Sequence, residues 1–177
     1  MASNSTKLGN KFLFDYQKKC VQKFKESDKG IIVYHGVGTG KTLTSIKCAN
    51  LYPNMTPIFV TTASVVNQFT TDVKKYLINK KSFLVLSYEK FVKILDSRNL
   101  NLNNNHHMQN NNDFNNILLI VDEAHNLRSN KGRSQKILKF SKNIAKKTLF
   151  LTGTVFINSP YDIAHLINAL ANEKDTH

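Results

Sequence analysis

The chain has 177 residues, 41% of them hydrophobic, enough to bury the core of one domain without staples. Lys and Arg number 25 against 12 Asp and Glu, a formal charge of +13 that makes a polyanion, and phosphate backbones above all, the natural partner class. No apolar run approaches the ~18 residues of a membrane span, the N-terminus lacks the apolar centre of a signal peptide, and two cysteines without metal spacing exclude a disulfide scaffold.

These features predict a soluble intracellular protein with Cys20 and Cys48 reduced in the core. Part of the charge only solubilises helix faces. In the segment 135–146, Ile137, Phe140 and Ile144 fall on one helical stripe, while Lys136, Lys139, Lys142 and Lys146 fall opposite.

In chain order, residues 1–10 read as a polar, frayed tail. Phe12 to Lys25 has the period of a helix with Phe14, Cys20, Val21 and Phe24 inward, ended by Gly30. Ile31 to Tyr34 is a short apolar strand that runs directly into Gly36-Val37-Gly38-Thr39-Gly40-Lys41-Thr42, which satisfies the pattern G-x-x-x-x-G-K-[ST]. Glycines let such a loop curl until successive N–H groups face an anion. Lys41 then reaches phosphate oxygens, Thr42 offers its hydroxyl to Mg²⁺, and the helix predicted over 42–52 adds its positive end.

Two further strand–helix units follow. Pro57 to Thr61 is a buried strand, after which Val66, Phe69, Val73, Tyr76 and Leu77 share a helix face. Ser82 to Leu86 is a third strand, and Ser87 caps a helix with Tyr88, Phe91, Ile94 and Leu95 inward. Residues 98–116 form an asparagine-rich tract with too little apolar surface to offset the entropy of ordering it, and are expected to be a mobile surface insertion. Its adjacent His106 and His107 lack companion ligands for a metal site.

Ile117 to Val121 is a continuous apolar strand, as in a parallel sheet covered on both faces, and it ends in Asp122-Glu123-Ala124-His125. Thr148 to Leu151 is the last strand, with Thr152-Gly153-Thr154 at its carboxyl end. Ser159-Pro160 then opens a helix with Ile163, Leu166, Ile167 and Leu170 on one face. This alternation predicts one α/β three-layer domain with a mainly parallel central sheet, its ligands gathered at strand carboxyl ends. The phosphate loop and the acidic pair both occupy such ends, and are expected side by side. Asp122-Glu123 by itself also fits a plain acidic helix start. Together with the loop it supplies what γ-phosphoryl transfer to water needs: Asp122 and Thr42 for the metal, Lys41 for the phosphates, Glu123 for the attacking water.

The runs at 36–42, 122–125 and 152–154, in this order, resemble motifs I, II and III of superfamily 2 helicases and translocases, and the likeness covers nearly the whole chain. Tyr16-Gln17 resembles the Q-type adenine motif, and Phe156 to Asp162 resembles the Swi2/Snf2-like and poxvirus-type branch of large DNA viruses, which implies a viral source. The resemblance implies a P-loop NTPase domain of the RecA-like type using ATP and Mg²⁺. It implies adenine contact by Gln17, nucleotide contact by residues 36–42, Asp122 and His125, and coupling through His125 and Thr152 to Thr154. It places Thr62, Ser64 and Tyr88 where such families contact DNA or RNA, with DNA favoured. The residues alone leave this open: Thr62 and Ser64 equally suit a helix cap, and Tyr88 equally suits core packing.

Val155 departs from the proline usual in that branch, which bears on the stiffness of the coupling loop. The second RecA-like domain, whose arginines complete such sites, is expected in cis or in trans beyond His177. Its absence would cost roughly 10³- to 10⁵-fold in turnover by analogy with arginine fingers. The expected activity is therefore that of the first motor domain of a nucleic-acid-dependent ATPase, weak in isolation. The alternative is a split or truncated nucleotide-binding module without productive hydrolysis. A GTPase is disfavoured, because Asn79-Lys80-Lys81-Ser82, the run most like a guanine reader, lacks the acid.

Overall fold

The computed structural model describes residues 13–36, 38–80, 82–98, 116–128, 132–154 and 163–171. The N-terminal tail, Val37, the interior of the asparagine tract with His106 and His107, and the run from Val155 through Ser159-Pro160 lie outside the described residues.

Among the described residues, five strands form one all-parallel sheet: β1 (Gly30–Tyr34), β2 (Thr56–Thr61), β3 (Leu84–Ser87), β4 (Ile117–Val121) and β5 (Lys147–Thr152). Their spatial order is β1-β5-β4-β2-β3. Helices α1 (Asp15–Glu26), α2 (Lys41–Asn50) and α3 (Val66–Tyr76) cover one face. Helices α4 (Tyr88–Ser97), α5 (Arg133–Asn143) and α6 (Ala164–Leu170) cover the other.

Alternation along the strands divides the core in two. In β4, Ile117, Leu119 and Val121 join Phe91, Ile137 and Phe140 on one side, while Leu118 and Ile120 join Phe24, Ile46 and Phe69 on the other. All five β4 residues are buried, which is why that strand is uninterruptedly apolar. Burying one such side chain contributes about 1.5–3 kcal/mol, which makes the centre of the sheet a suitable base for a site.

Three details depart from the expected pattern. Phe14 is 68% exposed because α1 starts at Asp15 and not at Phe12, leaving Phe14 as its extended N-cap. Ile167 is 51% exposed, and Ala169 takes its place beside Leu166 against α5. The third strand starts at Leu84 and not at Ser82, since its register with β2 begins at Ile58 opposite Leu84. Cys20 and Cys48 are free thiols buried in one cluster between α1 and α2. Among the described residues, no helix is long and apolar enough to cross a membrane.

Candidate nucleotide site

The loop after β1 owes its shape to glycines at positive φ. Gly38 (φ 78°) and Gly40 (φ 77°) both adopt left-handed conformations that a side chain would strain. Gly40 is also the N-cap of α2, so the helix's first N–H groups open onto the loop. The loop is stitched to itself by Thr39 Oγ1 donating to the Gly36 carbonyl at 2.7 Å.

Helix α1 holds the loop from outside. Gln17 is buried, and its Nε2 donates to the carbonyls of Thr39 (3.0 Å) and Gly40 (3.3 Å). Its Oε1 accepts from the Phe14 N–H at 3.0 Å. Both amide hydrogens are thus committed to the loop, and one lone pair remains. A Cβ on Gly40 would sit 2.6 Å from that Nε2, so the glycine is required by the clamp as well as by φ. Tyr16 adds a 2.7 Å hydrogen bond from its hydroxyl to the Thr39 carbonyl and meets the His35 ring edge-on at 5.1 Å. Burial, helped by the Lys41 charge, lowers the His35 pKa, so this ring packs as a neutral group. Phe14 stacks on Tyr16 at 5.8 Å, an exposed aromatic pair beside the loop, although helix periodicity turns Phe14 inward.

Between loop and acids the expected adjacency is corrected. β1 and β4 are not neighbours: β5 lies between them, pairing with both. Thr152 and Gly153, at the end of β5, therefore sit between the two catalytic candidates. The arrangement still brings Lys41 Nζ to 3.6 Å from Glu123 Oε1. Gly153 leaves this pair room, since a Cβ there would lie 3.2 Å from Lys41 Nζ and 3.8 Å from Glu123 Oε2. Lys41 Nζ also donates to the carbonyls of His35 (3.2 Å) and Gly36 (3.3 Å).

The acidic pair is built at the end of β4. Asp122 is buried, with its N–H on the Val60 carbonyl at 2.8 Å, and its Oδ2 accepts from Thr61 Oγ1 at 3.1 Å. Thr61, at the end of β2, is thereby a partner of the acid that its sequence neighbourhood did not reveal. Burial raises the Asp122 pKa, and the Glu123 charge raises it further. The Thr61 hydrogen bond, the Glu123 N–H and the Lys41 charge oppose the shift. The folded chain then holds this proton more tightly than the unfolded chain does. Stability falls as pH rises from the ordinary carboxylate range to the raised pKa, and the penalty persists above it. Asp122→Asn should therefore raise the melting temperature near pH 7.5, and the gain should vanish at low pH. Thermal melts at both pH values check this, and an equal gain at low pH would contradict it.

Glu123 adopts φ 51° and ψ 46°, left-handed without being glycine. Its Oε2 lies 3.2 Å from His125 Nδ1 and 3.5 Å from the Gly153 N–H. His125 Nδ1 is also 3.1 Å from Thr152 Oγ1. That hydroxyl donates to the Thr154 carbonyl at 2.6 Å, so Nδ1 must carry the hydrogen it shares with Thr152 and Glu123. His125 thus links the ends of β4 and β5.

Gly38, Gly40, Lys41, Thr42, Asp122 and Glu123 line one cleft of about 430 Å³. Leu43, Asp72 and Tyr76 also line it; Tyr76 packs against the core as its periodicity predicts and reaches the cleft as well, while Asp72 carried no signal in the sequence. Thr62 and Ser64 sit at the end of β2 with their hydroxyls 3.3 Å apart, Ser64 exposed. Tyr88 is corrected as a candidate for touching a polymer. It is 2% exposed, and its hydroxyl is spent on the carbonyls of Asp122 and Glu123.

Over residues 10–157 the chain matches the family described as "Type III restriction enzyme, res subunit". It is 32% identical over 162 residues to the Acanthamoeba polyphaga mimivirus protein named "Putative ATP-dependent RNA helicase L538", which covers 91% of this chain and 33% of that relative. It is 27% identical over 165 residues to the termination factor NPH-I homolog of African swine fever virus, covering 82% of this chain and 23% of the relative. The fold is that of the Sulfolobus solfataricus SWI2/SNF2 ATPase core solved in complex with dsDNA, at a TM-score of 0.66 and 16% identity over 92% of this chain and 36% of that one. The chain spans about a third or less of the length of these proteins. The chain belongs to the family described as the res subunit of type III restriction enzymes, as an N-terminal RecA-like domain of the superfamily 2 helicase type.

Proposed function

We propose that this domain binds ATP with Mg²⁺ and hydrolyses it as the first motor domain of a nucleic-acid-dependent translocase or helicase. The observation that carries this reading is the convergence of Lys41, Thr42, Asp122 and Glu123 on one cleft at strand carboxyl ends. Asp122 and Thr42 supply one carboxylate and one hydroxyl, a donor set suited to an ion that keeps waters and phosphate oxygens as its other ligands. When bound there, magnesium neutralises charge developing on the phosphate oxygens.

The other roles fall to the chain itself. Lys41 and the loop N–H groups hold phosphate oxygens, and glycines at 38 and 40 leave the backbone bare for their approach. Glu123 orients the attacking water and accepts its proton, with Gly153 N–H and His125 Nδ1–H fixing the carboxylate. Gln17 keeps α1 on the loop and meets adenine with its remaining lone pair, beside Phe14 and Tyr16. His125 and Thr152 carry the nucleotide state to the segment after β5.

For the polymer, Thr62 and Ser64 offer hydroxyls at the end of β2, and the net charge of +13 favours a phosphate backbone, with DNA preferred. A second RecA-like domain, in cis or in trans, completes the nucleotide site.

The test is ATP turnover by the purified chain with and without DNA or RNA, alongside equilibrium nucleotide binding. Lys41→Ala should weaken nucleotide binding by roughly 10- to 100-fold, the worth of one or two charge-assisted hydrogen bonds, with the fold retained. Unchanged affinity in that variant would remove the loop from the site. Binding without turnover under every condition would favour a nucleotide-binding module.

A further inference from the structure

Tyr88 opens α4 but is 2% exposed, and its ring packs in the core on the α4–α5 face of the sheet. Its hydroxyl oxygen lies 2.5 Å from the Asp122 carbonyl oxygen and 3.1 Å from the Glu123 carbonyl oxygen. A phenol has a single donor hydrogen, so the two carbonyls share it. Between those two oxygens lies the Glu123 φ/ψ pair, in the left-handed region where a non-glycine residue persists only if its surroundings over-determine it.

The surroundings act on both ends of the residue. His125 and Gly153 hold the carboxylate, while Tyr88 holds the main chain. From the far side the Arg133 guanidinium lies over the ring at 5.5 Å while paired with Glu89, so the first turn of α4 and α5 fix where the hydroxyl points.

We infer that Tyr88 is a positioning residue of the hydrolytic site, whose hydroxyl holds the Asp122-Glu123 main chain in the left-handed turn that presents the Glu123 carboxylate to the phosphate loop. The turnover part of this inference rests on the proposed ATPase activity, and the conformational part does not.

Tyr88→Phe keeps the ring and removes only the donor. NMR of the labelled chain reads the Glu123 conformation directly, through its Cα shift and its amide-to-Hα coupling. In Tyr88→Phe the left-handed signature of Glu123 should be lost while the shifts of the sheet remain. Turnover should drop roughly 10- to 100-fold with KM unchanged, the scale typical of residues supporting a reactive group. A purely structural role would lower stability and leave that split unmoved.

Retention of the Glu123 signature in Tyr88→Phe overturns the inference, as does a lost signature with wild-type kcat. A lost signature when even the wild type fails to turn over ATP upholds the brace and refutes the ATPase. Should Tyr88→Phe fail to fold, the wild type decides. Its Tyr88 hydroxyl proton should exchange slowly with water and show a cross-peak to the Glu123 amide, and a freely exchanging proton overturns the inference.

Discussion

Glu123→Gln is expected to lower ATP turnover by roughly 10²- to 10⁴-fold, the range ascribed to a positioned general base, while nucleotide binding persists. Glutamine has the same shape, and its amide oxygen still accepts from the Gly153 N–H and from His125 Nδ1–H. It cannot take a proton from water. It also no longer offers Lys41 a negative charge at 3.6 Å, which frees the ammonium for phosphate and gives no reason for binding to weaken. Single-turnover hydrolysis and equilibrium binding of a fluorescent ATP analogue, measured on the same preparations, separate the two effects. Turnover equal to wild type would remove Glu123 from the chemistry. Loss of binding together with turnover would mean that the acid supports the loop and does not act on water.

The second large effect lies at the opposite end of the strand that delivers the loop. Gly30→Ala should destabilise the chain by roughly 3–6 kcal/mol, combining steric overlap with backbone strain. Gly30 pairs with Thr148 at the start of β1 and has φ 150°, and a Cβ there would lie 1.8 Å from the Thr148 carbonyl oxygen. No rotamer change relieves a contact between Cβ and main chain. β1 would have to move off β5, carrying the phosphate loop with it. Against a typical domain stability of about 5–15 kcal/mol, such a loss leaves a partly unfolded population at 37 °C. Urea denaturation measures it directly, and a midpoint close to wild type would show that β1 can shift without cost. The sequence marks Gly30 only as a breaker after α1. Its need for an empty Cβ position comes entirely from the strand beside it.

The residues proposed to carry the chemistry stand out in the sequence because their signals are local. A phosphate loop is a short backbone path whose glycines, lysine and threonine have fixed spacing, and Gly38 and Gly40 adopt the left-handed conformations that such a path needs. The uninterrupted apolar run of β4 announced a strand covered on both faces, and its last residue leads directly into Asp122. Helix faces were legible where one stripe dominates, as in α3 and α4, where Phe69, Val73, Phe91 and Leu95 are buried as expected.

What the sequence did not determine is which strand lies beside which, and what a strand-end side chain meets. Periodicity specifies that a strand is buried and says nothing of its neighbour. That β5 passes between β1 and β4, placing Gly153 between an ammonium and a carboxylate, was therefore decided by tertiary packing alone. Tyr88 is a mixed case: helix periodicity turned it inward and the resemblance placed it at a polymer, but only the packing of α4 put its hydroxyl beneath the acids. Tertiary packing also decided the place of Asp72 and Tyr76, which reach the cleft only because α3 lies alongside α2. Local spacing sets the conformation of a loop, because φ, ψ and the donors they aim belong to consecutive residues. The company a side chain keeps is set by contacts between residues far apart in the chain, and those exist only once the sheet has chosen its order.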